Sequence, residues 1–212
     1  MTELVCRIRP AAGDPAGALV LLHGRGSDEN DLFGLFDLLD PEGRLVGVTP
    51  RAPLALPPGG AHWYAVYRVG YPDPETFAPT YALGSAWVDA LPDVTGVPLE
   101  RTVLGGFSQG AVMSFAFGLG MGRPRPAGIV ALSGFVPTVD GWELDPETPR
   151  GLPVLLAHGT QDPVISVDFA RSARERLEAA GADLRYRESP IGHQIDPGTV
   201  REIVGWLGDV LP

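Results

Sequence analysis

The sequence predicts an α/β protein with a mainly parallel sheet that is covered by helices on both faces. Two observations carry this prediction. Short apolar runs of strand length alternate along the chain with longer segments of helical character. The runs are apolar at nearly every position, which is typical of strands buried on both faces of a parallel sheet. Ligands of such sheets bind beyond the carboxyl ends of the strands.

Six strands and five helices are expected in chain order. The strands are predicted at residues 18–22, 44–49, 102–105, 127–132, 153–157 and 183–187, and the last alternates polar and apolar residues like an outer strand. The helices are predicted near residues 28–39, 80–91, 109–121, 166–180 and 199–211.

Residues 51–79 do not fit this alternation, because they are rich in proline and glycine. A long irregular segment in a compact domain is often functional. We therefore expect a loop that forms part of a substrate cleft, with the aromatic residues Trp63 and Tyr64 near its middle. A structural loop whose aromatic side chains cap the core is equally compatible with the pattern.

Length and composition favour one domain. The chain has 212 residues, which is enough for one sizeable core, and no change in composition marks a linker, so residues 1–212 are expected to form a single domain. Every basic residue is arginine, the net charge is −10, and no basic cluster indicates a nucleic-acid surface. No apolar run is long enough to span a membrane, so integral membrane association is not expected.

The cysteine content and the N-terminal segment both favour a cytoplasmic protein. Cys6 has no second cysteine to pair with, fits a reducing compartment, and is expected to pack in an edge strand. The segment Met1–Pro10 lacks the apolar core of a signal peptide. Composition leaves the oligomeric state open, and a homodimer is among the assemblies it allows.

The most informative motif is Gly106-Phe107-Ser108-Gln109-Gly110, which reads G-x-S-x-G between a predicted strand and a predicted helix. This is the context of a nucleophile elbow, in which a strained turn holds a serine at the edge of the sheet. Glycines at both ends of the motif remove side chains where strand and helix come close. An ordinary serine in a glycine-rich turn is the alternative.

A catalytic serine needs a base, and the base needs an orienting partner. Two histidines follow Ser108 in the chain, His158 and His193. His193 is favoured as the base, since a loop after the last predicted strand can bring it to the serine. Asp162 is favoured as the acid, because it lies in a turn beyond a strand end and between serine and histidine. The alternatives are a capping histidine and an ordinary turn aspartate.

The oxyanion of an ester intermediate needs backbone N–H donors. One is expected from Gln109, the residue after the serine, and the other from Arg25 in the loop after an early strand. His23 is expected to be structural and to pack under that loop. Motifs for metal or dinucleotide binding are absent from the sequence, so no metal and no cofactor are expected.

Together these motifs resemble the phospholipase/carboxylesterase family of α/β-hydrolases, which includes bacterial carboxylesterases and acyl-protein thioesterases. The resemblance covers nearly the whole chain and is carried by residues 105–110, 131–137, 158–164 and 192–195. It implies an α/β-hydrolase fold, a catalytic triad and an oxyanion hole. The implied residues are Ser108, Asp162 and His193 for the triad, with the amides of Arg25 and Gln109 for the oxyanion hole. Trp63 and Tyr64 are expected to bind substrate.

Two positions depart from the pattern of this family. Many relatives carry an apolar residue where Arg25 stands, and many carry aspartate where Ala65 follows Trp63 and Tyr64. A backbone donor tolerates the first change, but a positive charge at the mouth of a site can alter the choice of substrate.

The expected activity is cleavage of a small-molecule carboxylic ester through an acyl-enzyme intermediate. A thioesterase or a lysophospholipase would use the same triad and differ only in its pocket. An enzyme like dienelactone hydrolase is less favoured, because that family usually has cysteine as its nucleophile. A non-catalytic binding protein on the same scaffold would be expected to lack a triad member, and this sequence lacks none.

Overall fold

The computed structural model describes residues 4–212, so the first residues of the segment Met1–Pro10 lie outside the described part of the chain. Its strands are β1 (Cys6–Arg9), β2 (Gly17–Leu22), β3 (Leu45–Pro50), β4 (Leu54–Leu56), β5 (Gly60–His62), β6 (Thr102–Phe107), β7 (Gly128–Leu132), β8 (Pro153–Gly159) and β9 (Asp183–Ser189). Seven of them form one sheet, whereas β4 and β5 form a separate antiparallel hairpin.

The large sheet has the strand order β1-β3-β2-β6-β7-β8-β9. Only β1 runs antiparallel to its neighbour, and every other pair is parallel, which confirms the predicted mainly parallel sheet. The alternating strand β9 lies at one edge, as its polar pattern predicts. Cys6 lies half-buried in β1 at the other edge, again as expected.

Helices cover both faces of this sheet. They are α1 (Phe36–Leu39), α2 (Pro74–Asp89), α3 (Leu91–Thr95), α4 (Gln109–Leu119), α5 (Val167–Ala179) and α6 (Pro197–Val210). One core layer packs α2, α4 and α5 against the sheet and contains Phe77 and Phe117. The other packs α1 and α6 against the opposite face and contains Phe36 and Trp206.

The prediction of a helix near residues 28–39 is mostly wrong. The chain forms only a 3-10 turn at Phe33–Leu35 and the single turn of α1. Before them, the side chain of Asp28 accepts the backbone N–H of Asn30 at 2.9 Å. Such a local bond gives the backbone an alternative to a helix, which explains the late start.

The loop predicted over residues 51–79 is also partly wrong, because it contains β4, β5 and the beginning of α2. The helix predicted near 80–91 therefore starts six residues earlier than expected. Asp73 caps it by accepting the N–H of Thr76 at 3.1 Å, and Pro74 occupies the first turn, where its missing N–H has no cost. The pair Asp73-Pro74 reads as a turn but begins a helix.

The packing of α4 against the centre of the sheet fixes the turn after β6. All eleven residues of α4 are buried. A Cβ atom at Gly110 would lie 1.9 Å from the carbonyl oxygen of Leu22 in β2, and one at Gly106 would lie 2.4 Å from the carbonyl carbon of Gly110. Only glycine permits this approach, so the first turn of α4 rests directly on the ends of β2 and β6.

The variant Gly110→Ala should lose about 1–3 kcal/mol of unfolding free energy. Its methyl group would overlap a backbone carbonyl that cannot move aside. Gly205→Ala in α6 is the matched control, since a Cβ there meets nothing within 4 Å. It should be neutral or stabilising by up to about 1 kcal/mol. Urea unfolding measures both; equal stability of the two variants would contradict the packing argument.

Candidate active site

Ser108 lies at the turn between β6 and α4 in a backbone conformation that is rare for a residue with a side chain. Its φ is 55° and its ψ is −119°. Such a conformation persists only when the surroundings hold it in place. Here the N–H of Ser108 donates to the carbonyl of Leu132 in β7 at 2.8 Å, and the residue is 7% exposed.

Asp162 lies in the loop between β8 and α5, and its side chain is fully buried. One carboxylate oxygen, Oδ1, accepts the N–H groups of Val164 at 2.8 Å and Ile165 at 2.9 Å. Burial alone would raise the pKa of Asp162, but the N–H of Ile165, the ring of His193 and the N–H of Val164 outweigh it and lower the pKa. The carboxylate is therefore ionised at neutral pH.

His193 lies in the loop between β9 and α6 and connects the other two side chains. Its Nδ1 is 2.6 Å from Oδ2 of Asp162, and its Nε2 is 3.0 Å from Oγ of Ser108. With a proton on Nδ1, the ring donates to the carboxylate and accepts from the serine hydroxyl. The ring of Phe107 packs against the imidazole at 4.7 Å between centroids.

Backbone contacts hold the loop of Asp162 against the loop of His193. The N–H of Gln161 donates to the carbonyl of Ile191 at 3.0 Å. A Cβ atom at Gly159 would lie 2.3 Å from the carbonyl oxygen of Gly192, so these two loops touch through their backbones. The structure thus brings together the three residues that the sequence singled out as acid, base and nucleophile.

The loop after β2 borders the serine on its other side. A Cβ atom at Gly24 would lie 3.4 Å from Cβ of Ser108, and the next residue, Arg25, is exposed. Within residues 4–212, the backbone N–H of Arg25 donates to no backbone carbonyl. Gln109 is the first residue of α4, where no intrahelical acceptor exists for its N–H. The N–H of Ser108 is already bonded and is not a third donor.

Trp63 and Tyr64 are buried in the core, with 0% and 3% exposure. This favours the structural alternative for their segment, in which its aromatic side chains cap the core. Their backbones instead contact the side chain of Gln109, whose Oε1 accepts the N–H of Trp63 at 3.1 Å and whose Nε2 donates to the carbonyl of Tyr64 at 2.8 Å. Sequence reasoning missed this role of the Gln109 side chain, because no local pattern links residues 46 positions apart.

His23 is structural, as expected, and completes this network beneath the Gly24–Arg25 loop. Its Nδ1 donates to the carbonyl of Gly24 at 2.7 Å, and its Nε2 accepts the N–H of Ala52 at 3.0 Å. The indole N–H of Trp63 donates to the carbonyl of His23 at 2.9 Å. Burial lowers the pKa of His23, so the ring is neutral and both of its nitrogens are bonded.

His158, the other histidine weighed as a base, makes its hydrogen bond to the carbonyl of Ile165 in the loop before α5. Among residues 4–212, no group of three or more histidine, cysteine or acidic side chains could hold a metal ion. No helix of this described range is long and apolar enough to cross a membrane.

A family model described as Phospholipase/Carboxylesterase matches residues 5–210. The chain belongs to the Phospholipase/Carboxylesterase family. The curated relatives include acyl-protein thioesterase 1 of Candida albicans, which is 30% identical over 95% of this chain and 96% of its own length. Acyl-protein thioesterase 1 of Debaryomyces hansenii is 26% identical over 100% of this chain and 99% of its own length.

Two solved structures of esterases share the fold. Esterase PE8 matches with a TM-score of 0.83 and 29% identity, covering 99% of this chain and 100% of its own. The Bacillus cereus carboxylesterase matches with a TM-score of 0.84 and 23% identity, covering 98% and 94%. The expected α/β-hydrolase fold is confirmed, and this Phospholipase/Carboxylesterase member is a hydrolase.

Trp63→Phe should reduce both stability and turnover of a p-nitrophenyl ester. The change leaves the buried carbonyl of His23 without its donor, which costs about 1–3 kcal/mol, and loosens the backbone beside Gln109. Trp142→Phe is the control, because its indole bonds Ala116 further along α4 and its loss should spare kcat. A Trp63→Phe enzyme of unchanged stability with only a raised KM would instead support direct substrate contact.

Proposed function

We propose that this hydrolase cleaves small carboxylic esters with Ser108 as nucleophile, His193 as general base and Asp162 as its orienting acid. One observation carries the proposal: the unbroken hydrogen-bonded series from Asp162 through His193 to Ser108, with distances of 2.6 and 3.0 Å. These distances are within the range required for proton transfer between a base and its nucleophile.

Acylation begins when Oγ of Ser108 attacks the ester carbonyl carbon while its proton passes to Nε2 of His193. The carbonyl π electrons move to the oxygen, and the amides of Arg25 and Gln109 donate to that oxyanion. Asp162 stabilises the imidazolium through Nδ1 without itself taking the proton. The tetrahedral intermediate collapses, the ester C–O bond breaks, and the leaving alkoxide takes the proton from Nε2.

Deacylation repeats these steps with water in place of the serine. His193 takes a proton from water, the hydroxide attacks the acyl carbon, and the same amides stabilise the second oxyanion. Collapse of the intermediate breaks the bond to Oγ, which recovers its proton from His193. All of the proton transfers therefore use one nitrogen atom of one side chain, and no cofactor takes part.

A thioesterase activity is the second candidate, because relatives that align over 95% and 100% of the chain are named acyl-protein thioesterases. The same three side chains would serve, with a thiolate leaving in place of an alkoxide. Matched butyryl esters and butyryl thioesters distinguish the two activities by their kcat/KM values. A lysophospholipase remains a further variant of ester cleavage and requires a lysophospholipid substrate in the same assay.

Ser108→Ala should lower kcat for a p-nitrophenyl ester by a factor on the order of 10⁴ to 10⁶, because it removes the attacking atom. Ser114→Ala is the matched control: it deletes another buried serine hydroxyl of the same region, which bonds the carbonyl of Gly110. That variant should retain turnover. Near-normal activity in folded Ser108→Ala would refute the proposed nucleophile.

A serine-directed phosphonate should form a single adduct on the peptide that contains Ser108, with activity lost in proportion. Iodoacetamide should spare activity, since Cys6 lies in the edge strand β1, far along the sheet from β6. Mass spectrometry of the treated protein locates the adduct. A modified residue elsewhere, or inactivation through Cys6, would contradict the mechanism.

Arg25→Ala should retain most turnover of neutral esters, because the proposed donor is the backbone N–H and not the exposed side chain. The variant should lose activity mainly on an acidic ester, such as a p-nitrophenyl hemisuccinate compared with the butyrate. A drop of ~10² to 10³ in kcat on the neutral ester would match the loss of an oxyanion donor. With folding unchanged, that result would assign the role to the side chain.

A further inference from the structure

His158 lies beside the proposed acid, Asp162. It belongs to β8, four residues before Asp162, and both side chains are fully buried. Its Nε2 is 2.9 Å from the carbonyl oxygen of Ile165 and 3.3 Å from Oδ2 of Asp162. The same Oδ2 atom accepts from Nδ1 of His193. Two imidazole rings therefore meet at one carboxylate oxygen.

The surroundings fix where the proton of His158 resides. Nε2 faces two acceptors, a carbonyl and a carboxylate, so this nitrogen carries the ring proton. Nδ1 is buried and has no hydrogen-bond partner within the described residues. A second proton there would be an unpaired buried N–H on a charged ring, which is costly. Burial accordingly lowers the pKa of His158, and the ring is neutral.

His158 also closes the turn that carries the acid. The N–H of Ile165 donates to Oδ1 of Asp162, while the carbonyl of Ile165 accepts from Nε2 of His158. Both polar groups of Ile165 are thus tied to this pair of side chains. The orientation of Asp162 toward His193 depends on this closed set of contacts as well as on the bond to His193 itself.

We propose that His158 is a positioning residue of the proposed triad. Its neutral Nε2–H bonds the carbonyl of Ile165 and so holds the turn that carries Asp162, and at 3.3 Å from Oδ2 it draws part of the negative charge of the carboxylate away from His193. This inference rests on the proposed function for its catalytic consequence. It adds a second imidazole beside the carboxylate of Asp162, in addition to that of His193. A merely structural histidine would stabilise the fold without changing the proton affinity of His193.

Another carboxylate near His158, that of Glu188, is already paired with an arginine. Glu188 in β9 is opposite His158 in the register of the sheet. Arg171 of α5 binds both of its carboxylate oxygens at 2.9 Å, and the hydroxyl of Tyr186 donates to it at 2.8 Å. The Arg171 guanidinium keeps the pKa of Glu188 below its ordinary value. A change at His158 therefore acts mainly on the interaction between Asp162 and His193.

The test compares His158→Leu, which removes the donor, with His158→Gln, whose amide can place an N–H near the position of Nε2. The first readout is kcat/KM against pH. The second is an NMR titration of His193 in each protein, which needs no substrate and is simple to assign because the chain has 4 histidines. If the wild-type protein hydrolyses no ester, the proposed function is refuted. The NMR titration of His193 then remains as the test of this inference, because it needs no substrate.

His158→Leu should lower kcat/KM by about tenfold at the high-pH plateau, the effect of losing the hydrogen bond to Ile165 that closes the turn of Asp162. Its acidic limb and the NMR midpoint of His193 should move to higher pH, since an unshielded carboxylate holds the imidazolium proton more tightly. His158→Gln should remain near the wild type in both readouts. An unchanged or lowered midpoint in folded His158→Leu would overturn the proposal, as would equal losses in both variants.

If His158→Leu does not fold, His158→Asn takes its place against His158→Gln. Asparagine ends near the position of Nδ1 and cannot present a donor at Nε2. The proposal then requires a raised midpoint and lowered kcat/KM in His158→Asn, with values near the wild type in His158→Gln. Identical behaviour of these two variants would overturn it.

Discussion

The contact between the first turn of α4 and the carbonyl of Leu22 is the constraint on which the rest of the site depends. It brings the helix so close to β2 that only glycine fits at position 110. The turn before the helix must then be tight, and Ser108 adopts a positive φ. That conformation turns the hydroxyl toward His193 and leaves the N–H of Gln109 at an uncapped helix start. The same close packing also sets the border with Gly24 and its loop.

Buried polar groups around this contact are satisfied mainly by backbone atoms. His23 and the side chain of Gln109 bond to backbone groups of segments distant in sequence, and His158 bonds a carbonyl of the loop that follows its own strand. Each such bond fixes a loop that has no regular structure of its own. Because an unpaired buried polar group is expensive, each of these loops has one strongly preferred position. The precision of the site thus comes from hydrogen bonds beneath it and the rigidity of the sheet.

Most of the fold and the candidate triad could be predicted from local sequence patterns. Apolar runs predicted the strands that enter the sheet, and the glycines around Ser108 predicted a tight strand-to-helix turn. Where local chemistry was ambiguous, prediction failed: Asp73-Pro74 reads equally as a turn or a helix start, and only the capping bond to Thr76 decides. The role of the Gln109 side chain could not be predicted, since it depends on a contact with a segment about 45 residues earlier, and no sequence pattern links the two. The burial of Trp63 could not be predicted for the same reason, because its backbone is held against the side chain of Gln109.

The division of the site along the chain has an evolutionary consequence. The three hydrogen-bonded side chains of the candidate triad all lie after residue 100, whereas the loops that border Ser108 on its other side lie before residue 80. The candidate triad is therefore encoded in one stretch of the gene, and the Gly24–Arg25 loop, with the other proposed oxyanion donor, in an earlier one. The side chain of Gln109 connects these two stretches through the backbone of residues 63 and 64, so a change to either stretch must preserve that backbone, which the buried indole of Trp63 holds through its bond to His23.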